Sequence, residues 1–184
     1  MKHLKETPMT IALIAGIGMF LSTLDSGIIN IAIPTLEKQF SSHLSTVVWT
    51  ITLYTLTLSA SIMLFGRLAD KVGRIKIYSY GLSLFAISSL LCGASTNIWL
   101  LIGFRALQGL SAAMMQATAI AIITTRLDKK NLTKAMGILG MVIGLGPMMG
   151  PVVGGFILSS IGWRWIFWIN IPICLIGLMG CKKL

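Results

Sequence analysis

Long runs of apolar residues, separated by short polar segments, form the pattern of this 184-residue chain. A transmembrane helix needs about 20 mostly apolar residues to cross about 30 Å of hydrocarbon, and six runs come close to or exceed that length. The pattern therefore predicts an all-α, multi-pass membrane protein, with a single six-helix transmembrane domain over residues 1–184. We place the six spans near 9–33, 46–66, 77–94, 98–123, 135–161 and 165–181.

Basic residues fall mainly in alternate connections between these runs. Twelve of the fifteen then lie on one side of the predicted topology, leaving Lys38 and Arg164 on the other side and Arg105 within a span. Because cytoplasmic loops carry an excess of lysine and arginine, we expect a plasma-membrane protein with both termini in the cytoplasm. The twelve residues are Lys2, Lys5, Arg67, Lys71, Arg74, Lys76, Arg126, Lys129, Lys130, Lys134, Lys182 and Lys183.

The overall composition supports the membrane prediction and argues against other classes. Hydrophobic residues make up 55% of the chain and charged residues 11%, whereas a soluble domain carries about 25% charged residues. The net charge of +10 does not indicate nucleic-acid binding, because the charges lie in short bursts between apolar runs. The sequence has no Ser/His/Asp set, metal-ligand spacing or phosphate-binding loop, so we expect neither an enzyme nor a metal site.

A glycine-studded apolar stretch over 137–155 is the most distinctive part of the sequence. Gly146, Gly150 and Gly154 recur every four residues, so one side of a helix there would be almost bare of side chains. Such a face lets a neighbouring backbone approach closely, which is how many helices associate in lipid. Pro151, directly after Gly150, predicts a kink in the same helix. A tight packing helix of any multi-pass protein would show the same small-residue face.

Two full charges lie inside predicted spans, Asp25 in the first and Arg105 in the fourth. Each costs at least about 2.5 kcal/mol at the bilayer centre, so both should face a bundle interior or a water-filled cavity. They form either a buried pair that fixes helix packing or a site for protons or cations. Polar residues continue both helix faces, which favours a pathway: Ser22, Asp25 and Ser26 on one, and Arg105, Gln108, Ala112 and Gln116 on the other.

The connection between the second and third spans combines glycine with charge. Gly66 and Gly73 permit tight turns at the membrane surface, and Asp70 can accept hydrogen bonds from amides at a helix N-terminus. Lys71 and Arg74 can reach acidic side chains or lipid headgroups. This segment is either a positively charged anchor or a latch between transporter conformations.

Four segments resemble motifs of the major facilitator superfamily, and two of them resemble its drug:proton antiporters in particular. Residues 24–34 are similar to the first-helix motif of the fourteen-helix antiporters, with Gly27 where threonine is usual. Residues 66–74 resemble the superfamily's loop signature, and residues 101–113 its fourth-helix motif, with Ser111 where glycine is usual. The fifth-helix antiporter signature is matched by Gly137, Gly146, Gly150, Pro151, Gly154 and Gly155.

This resemblance implies the N-terminal six-helix bundle of a proton-coupled multidrug exporter that works by alternating access. The proton gradient would supply the energy, without a cofactor. The resemblance and the polar faces together assign proton and substrate binding to Asp25, Arg105, Asn30, Gln108 and Gln116. The substrate would be a small lipophilic drug, with cations favoured by an acidic site near aromatic rings. Gly66, Asp70, Lys71, Gly73 and Arg74 would form the latch, and the 137–155 helix would seal the cavity.

Members of this family have twelve or fourteen spans, with the substrate site between two halves. We therefore expect the bilayer and a second transmembrane half as partners. A truncated product, a half-transporter with a separately made second half and a homodimer all remain open. Two other functions compete with export. One is a solute:proton symporter of the same fold, which the glycine-proline signature disfavours; the other is a non-transporting fragment that packs against partner proteins.

Overall fold

The computed structural model describes residues 8–182, which form seven helices joined by short turns. The prediction of an all-α fold is confirmed. Lys2, Lys5 and Lys183, which contribute to the predicted orientation, lie outside the described residues. The helices are α1 (Pro8–Phe40), α2 (Leu44–Val72), α3 (Arg74–Ala94), α4 (Ile98–Arg126), α5 (Lys129–Ser160), α6 (Trp165–Trp168) and α7 (Asn170–Cys181).

Helices α1 to α5 are each long and apolar enough to cross a membrane. The sixth predicted span is divided into α6 and α7, with Ile169 between them. Pro172 lies in the first turn of α7, where a missing backbone N–H breaks no helical hydrogen bond. The proline therefore favours the start of a new helix at Asn170. From Trp165 to Cys181 the two pieces together contain 17 residues.

Several helices extend beyond the predicted spans. Helix α1 continues through Pro34 to Phe40, and α2 continues through Gly66 to Val72. Pro34 removes one backbone hydrogen bond, and the next turn is held by Leu36, which is fully buried. Gly66 is a helical residue, so the prediction that it forms a turn is wrong. The turn lies at Gly73 alone, whose φ of +112° suits a residue without a Cβ.

The helices pack so that α1 and α4 lie at the centre of the bundle. Helix α1 packs along α5, α2 packs along α4, and α3 packs against both α4 and α7. Two apolar clusters fill the interior. One surrounds Tyr78 and Phe85, and the other surrounds Leu36 and Phe167. Buried polar side chains, described below, lie where the two clusters meet.

The two ends of the bundle differ in charge. Arg74 Nη1 donates to the Ala121 carbonyl at 3.0 Å, so the α2–α3 turn lies beside the C-terminal end of α4. At the opposite end the rings of Phe40 and Trp163 are 5.2 Å apart. Most basic residues of the described chain therefore lie at the end that carries the α2–α3 and α4–α5 connections. The side of the membrane on which this end lies stays a prediction.

Candidate functional site

An ion pair between Asp25 of α1 and Arg105 of α4 lies inside the bundle. Arg105 Nη1 contacts Asp25 Oδ2, and the exposed fractions of the two side chains are 0% and 2%. Both charges therefore face the interior of the bundle, as expected. The sequence also allowed a water-filled cavity, but the structure buries both side chains. Removal of either partner would leave the other charge buried without full compensation, which is costly.

The guanidinium of Arg105 has further partners besides Asp25. Its Nε donates to the Thr50 carbonyl at 3.1 Å, and its Nη1 donates to Gln108 Oε1 at 2.7 Å. The Cζ atom lies 4.2 Å from the centre of the Tyr54 ring, and the negative face of an aromatic ring attracts a cation. Arg105 therefore has two hydrogen bonds and a ring contact that do not involve Asp25, while its Nη2 has no hydrogen-bond partner among residues 8–182.

The second oxygen of Asp25 faces two side-chain amides. Its Oδ1 accepts from Asn170 Nδ2 at 3.2 Å and from Gln108 Nε2 at 3.4 Å. Gln108 Nε2 also donates to Ser89 Oγ at 2.8 Å. We call Asp25, Ser89, Arg105, Gln108 and Asn170 the buried polar cluster. It joins α1, α3, α4 and α7, and the Thr50 carbonyl adds α2, so hydrogen bonds around Asp25 and Arg105 link five helices.

Gln116 and Asn30 lie outside this cluster, along a nearby groove. Gln116 Nε2 donates to Ser22 Oγ at 3.0 Å, which links α4 to α1. Asn30 is exposed, and its Nδ2 donates to the Ser26 carbonyl one turn earlier at 2.7 Å. The groove has a volume of about 220 Å³, and its lining consists of Ser22, Thr23, Ser26, Gly27, Asn30, Tyr54, Leu58, Gln116 and Pro147. Of the five predicted site residues, Asp25, Arg105 and Gln108 thus lie in the buried polar cluster, and Asn30 and Gln116 line the groove.

Asn170 is the member of the cluster that sequence reasoning missed most clearly. An amide within an apolar span is itself a signal, because polar groups in membrane helices usually find a partner. Ser89 is harder to recognise, since serine also bonds its own helix backbone. Thr50 contributes only its backbone carbonyl, a group that every residue has, so no pattern in the sequence could identify it.

The glycine face of α5 packs directly on the backbone of α1. A Cβ added to Gly150 would lie 2.6 Å from Gly27 Cα, and one added to Gly154 would lie 3.2 Å from Ile28 Cγ2. Gly146 is packed against Thr23 in the same way. Conversely, a Cβ on Gly27 would lie 3.1 Å from Gly150 Cα. Glycine at position 27, where the antiporter motif usually has threonine, therefore allows the two backbones to touch.

The remaining positions of the α5 signature do not pack inside this bundle. A Cβ on Gly137 or Gly155 would meet no other atom within 4 Å, and Pro151 is exposed. Helix α5 runs without interruption through Pro147 and Pro151. The predicted kink and the sealing role of this helix stay predictions.

The α2–α3 segment is organised by one ion pair at the surface. Asp70 Oδ1 accepts from Arg74 Nη2 at 2.8 Å and from Arg74 Nε at 3.1 Å. The expected contact between Asp70 and helix N-terminal amides is therefore replaced by a side-chain pair, because Arg74 follows four residues later. Lys71 is exposed. Arg74 in turn reaches α4 through the Ala121 carbonyl, so this segment connects three helices.

Comparison with known proteins identifies similar sequences and a similar fold. A family model described as Major Facilitator Superfamily matches residues 15–182. The riboflavin transporter RibZ of Clostridioides difficile (strain 630) is 42% identical over 175 residues, which cover 95% of this chain and 38% of RibZ. The multidrug transporter protein MdtP of Bacillus subtilis (strain 168) is 36% identical over 178 residues, which cover 97% of this chain and 32% of MdtP.

The inward-open structure of the xylose transporter XylE from E. coli matches this chain with a TM-score of 0.85 and 18% sequence identity. The match covers 96% of this chain and 48% of XylE. At this level of identity the likeness shows the fold alone. The chain spans less than two fifths of the length of RibZ and of MdtP.

Proposed function

Because the chain belongs to the major facilitator superfamily, whose members are multi-pass membrane transporters rather than enzymes, we propose that it is the N-terminal part of a proton-coupled multidrug exporter. The observation that carries this proposal is the buried Asp25–Arg105 pair. A carboxylate and a guanidinium are retained in the interior of a membrane domain, where ionisable groups are costly and usually functional. The 36% identity to MdtP and the antiporter signature on α5 support drug export.

Asp25 is the proton-binding group in this proposal. Protonation would neutralise the carboxyl and remove its attraction for Arg105. The guanidinium would then keep its bonds to the Thr50 carbonyl and to Gln108, together with its contact to the Tyr54 ring. The helices could therefore shift while Arg105 keeps these hydrogen bonds and this ring contact. The proton gradient across the plasma membrane would drive this cycle, and no cofactor is required.

The groove beside Gln116 would form this half's share of the drug site. It offers two amides and several hydroxyl groups as hydrogen-bond partners for a small lipophilic drug. The Tyr54 ring, which also lines it, is buried and already in contact with Arg105. Transporters of this architecture bind substrate between two related halves. We propose that a second transmembrane half covers the groove, because α2 and α5 are the least buried of the five long helices. Both termini would lie in the cytoplasm.

A second candidate function is the transport of riboflavin or a similar solute. The observation that favours it is the 42% identity to RibZ, which exceeds the identity to MdtP. The buried pair would serve proton coupling in either case, so the geometry of the pair does not choose between the two substrates. The groove residues and the proposed second half would determine which solute is bound.

The two candidates can be separated in proteoliposomes. We would reconstitute the 184-residue chain, alone and fused to the spans of MdtP that follow the matched segment, and confirm folding by thermal unfolding. If the chain is part of a drug exporter, an imposed pH gradient should drive ethidium across the membrane in the fusion but should not drive riboflavin. Movement of riboflavin alone would favour the second candidate. A folded fusion that moves neither compound under the gradient would overturn the assignment to proton-coupled transport.

A further inference from the structure

The side-chain amide of Asn170 is only half satisfied in the buried polar cluster. Its Nδ2 donates to Asp25 Oδ1 at 3.2 Å. Its Oδ1 is buried and has no hydrogen-bond partner among residues 8–182, and the residue as a whole is fully buried. A buried polar atom without a partner is costly, so such an atom in a folded protein calls for a physical reason.

Gln108, the other amide at Asp25, differs in being fixed at both ends. Its Oε1 accepts from Arg105 Nη1 at 2.7 Å, and its Nε2 donates to Ser89 Oγ at 2.8 Å. A half-turn of the Gln108 amide would break both bonds. Within residues 8–182 the side chain of Asn170 has one hydrogen bond, and its partner is Asp25 itself. A half-turn about its Cβ–Cγ bond exchanges two atoms of nearly equal size, so the packing around it would not change.

This half-turn matters because the two protonation states of Asp25 need opposite partners. An ionised carboxylate only accepts hydrogen bonds, whereas a carboxylic acid also has an O–H to donate. Arg105 can donate but cannot accept. The Gln108 oxygen has two lone pairs, and it already accepts from Arg105 Nη1 and from the Cys92 thiol. Among the hydrogen-bond partners that Asp25 has within residues 8–182, Asn170 is therefore the one whose unpaired Oδ1 could accept from the acid form.

The other ionisable groups near Asp25 are not placed to accept a hydrogen bond from its acid form. Tyr54 on α2, Cys92 on α3 and Cys174 on α7 lie close enough to interact with it electrostatically, as does Arg105 on α4. The Tyr54 hydroxyl donates to the Ser22 carbonyl at 3.4 Å, and the Cys92 thiol faces Gln108 Oε1 at 3.7 Å. Cys174 is buried among apolar residues of the bundle.

We propose that Asn170 is a positioning residue that serves both protonation states of Asp25. Its Nδ2 donates to the carboxylate, and after a half-turn its Oδ1 accepts from the carboxylic acid. The proton itself enters from water and returns to water, and the amide rotation transfers none. This inference rests on the proposed function in taking Asp25 as the group that binds a proton, but it does not depend on which solute is moved.

Infrared spectroscopy of the 184-residue chain tests this directly, because only five acidic residues are present. The difference spectrum between acid and neutral pH should contain a carboxylic C=O band that disappears in Asp25→Asn. In Asn170→Leu, which has the same branched shape without polar atoms, we expect that band to move to higher wavenumber. The matched control is Ser88→Ala, because Ser88 is buried and its hydroxyl donates to the Phe85 carbonyl of its own helix.

A second measurement needs no change at position 170. In the unaltered chain labelled with [15N]asparagine, one buried side-chain amide signal should shift as Asp25 titrates, and the shift should vanish in Asp25→Asn. The inference would be overturned if the carboxylic C=O band kept its position in a folded Asn170→Leu variant. It would also be overturned if no asparagine side-chain signal shifted as Asp25 titrates. These readouts need no transport, so a shifted band without pH-driven ethidium movement would reject the proposed function alone.

Discussion

Replacement of Gly150 by alanine should destabilise the bundle, whereas the same change at Gly140 should not. A Cβ at Gly150 would lie 2.6 Å from Gly27 Cα, 2.7 Å from Gly27 C and 3.0 Å from Ile28 N. Carbon atoms in good contact are about 3.5–4.0 Å apart, and backbone atoms cannot rotate away as side chains do. A Cβ at Gly140 would meet nothing within 4 Å.

The comparison isolates packing from helix propensity. Each Gly→Ala change gains roughly 1 kcal/mol of propensity, and this gain is common to both variants. Overpacking costs about 1–3 kcal/mol, so we expect Gly150→Ala to lower the free energy of unfolding by that amount relative to Gly140→Ala. Reversible unfolding in mixed detergent micelles would measure the difference. Equal free energies for the two variants would refute the idea of a dedicated close-packed face on α5.

Three further results are expected. In a background without the natural cysteines, impermeant reagents outside the cell should label cysteine at positions 43 and 97 but not at 130; labelling at 130 would reverse the orientation. Gly73→Ala should cost about 1–3 kcal/mol of unfolding free energy, because its φ of +112° strains any side chain; no loss would contradict this. Asp70→Asn should lower the free energy of unfolding by at most about 1 kcal/mol, because the pair with Arg74 is exposed. If the segment is a latch, the same change should slow pH-driven transport, and unchanged transport would argue against the latch.

Hydrophobic patterning could predict most of the fold because lipid leaves the chain few choices. Twenty apolar residues without water must satisfy their backbone groups internally, so each run forms a helix. The pattern could not give the helix ends. Pro34 and Gly66 look like terminators, but the first loses only one hydrogen bond and the second sits in a helix that continues beyond it to Val72. The break before Pro172 was likewise hidden within an apolar run.

The centre of the candidate site could be predicted because charges in apolar spans need partners. Asp25 and Arg105 stand out for that reason, and Gln108 lies one helical turn from Arg105. The separation of Asn30 from Asp25 could have been predicted from helix geometry, because at 3.6 residues per turn five residues point the two side chains about 140° apart. The motif alone gives no reason for glycine at position 27. The reason is the close approach of the Gly150 backbone, which only the packing of α5 on α1 shows.

The central claim is that Asp25 binds the proton that drives transport, and Asp25→Asn tests it most directly. In the MdtP fusion, pH-driven ethidium movement should be lost in Asp25→Asn and kept in the control Asp128→Asn, which changes an exposed acid. The amide can still accept from Arg105, so the loss of unfolding free energy should stay below the roughly 3–5 kcal/mol of a broken structural pair. Unchanged pH-driven movement in a folded Asp25→Asn variant would contradict the account.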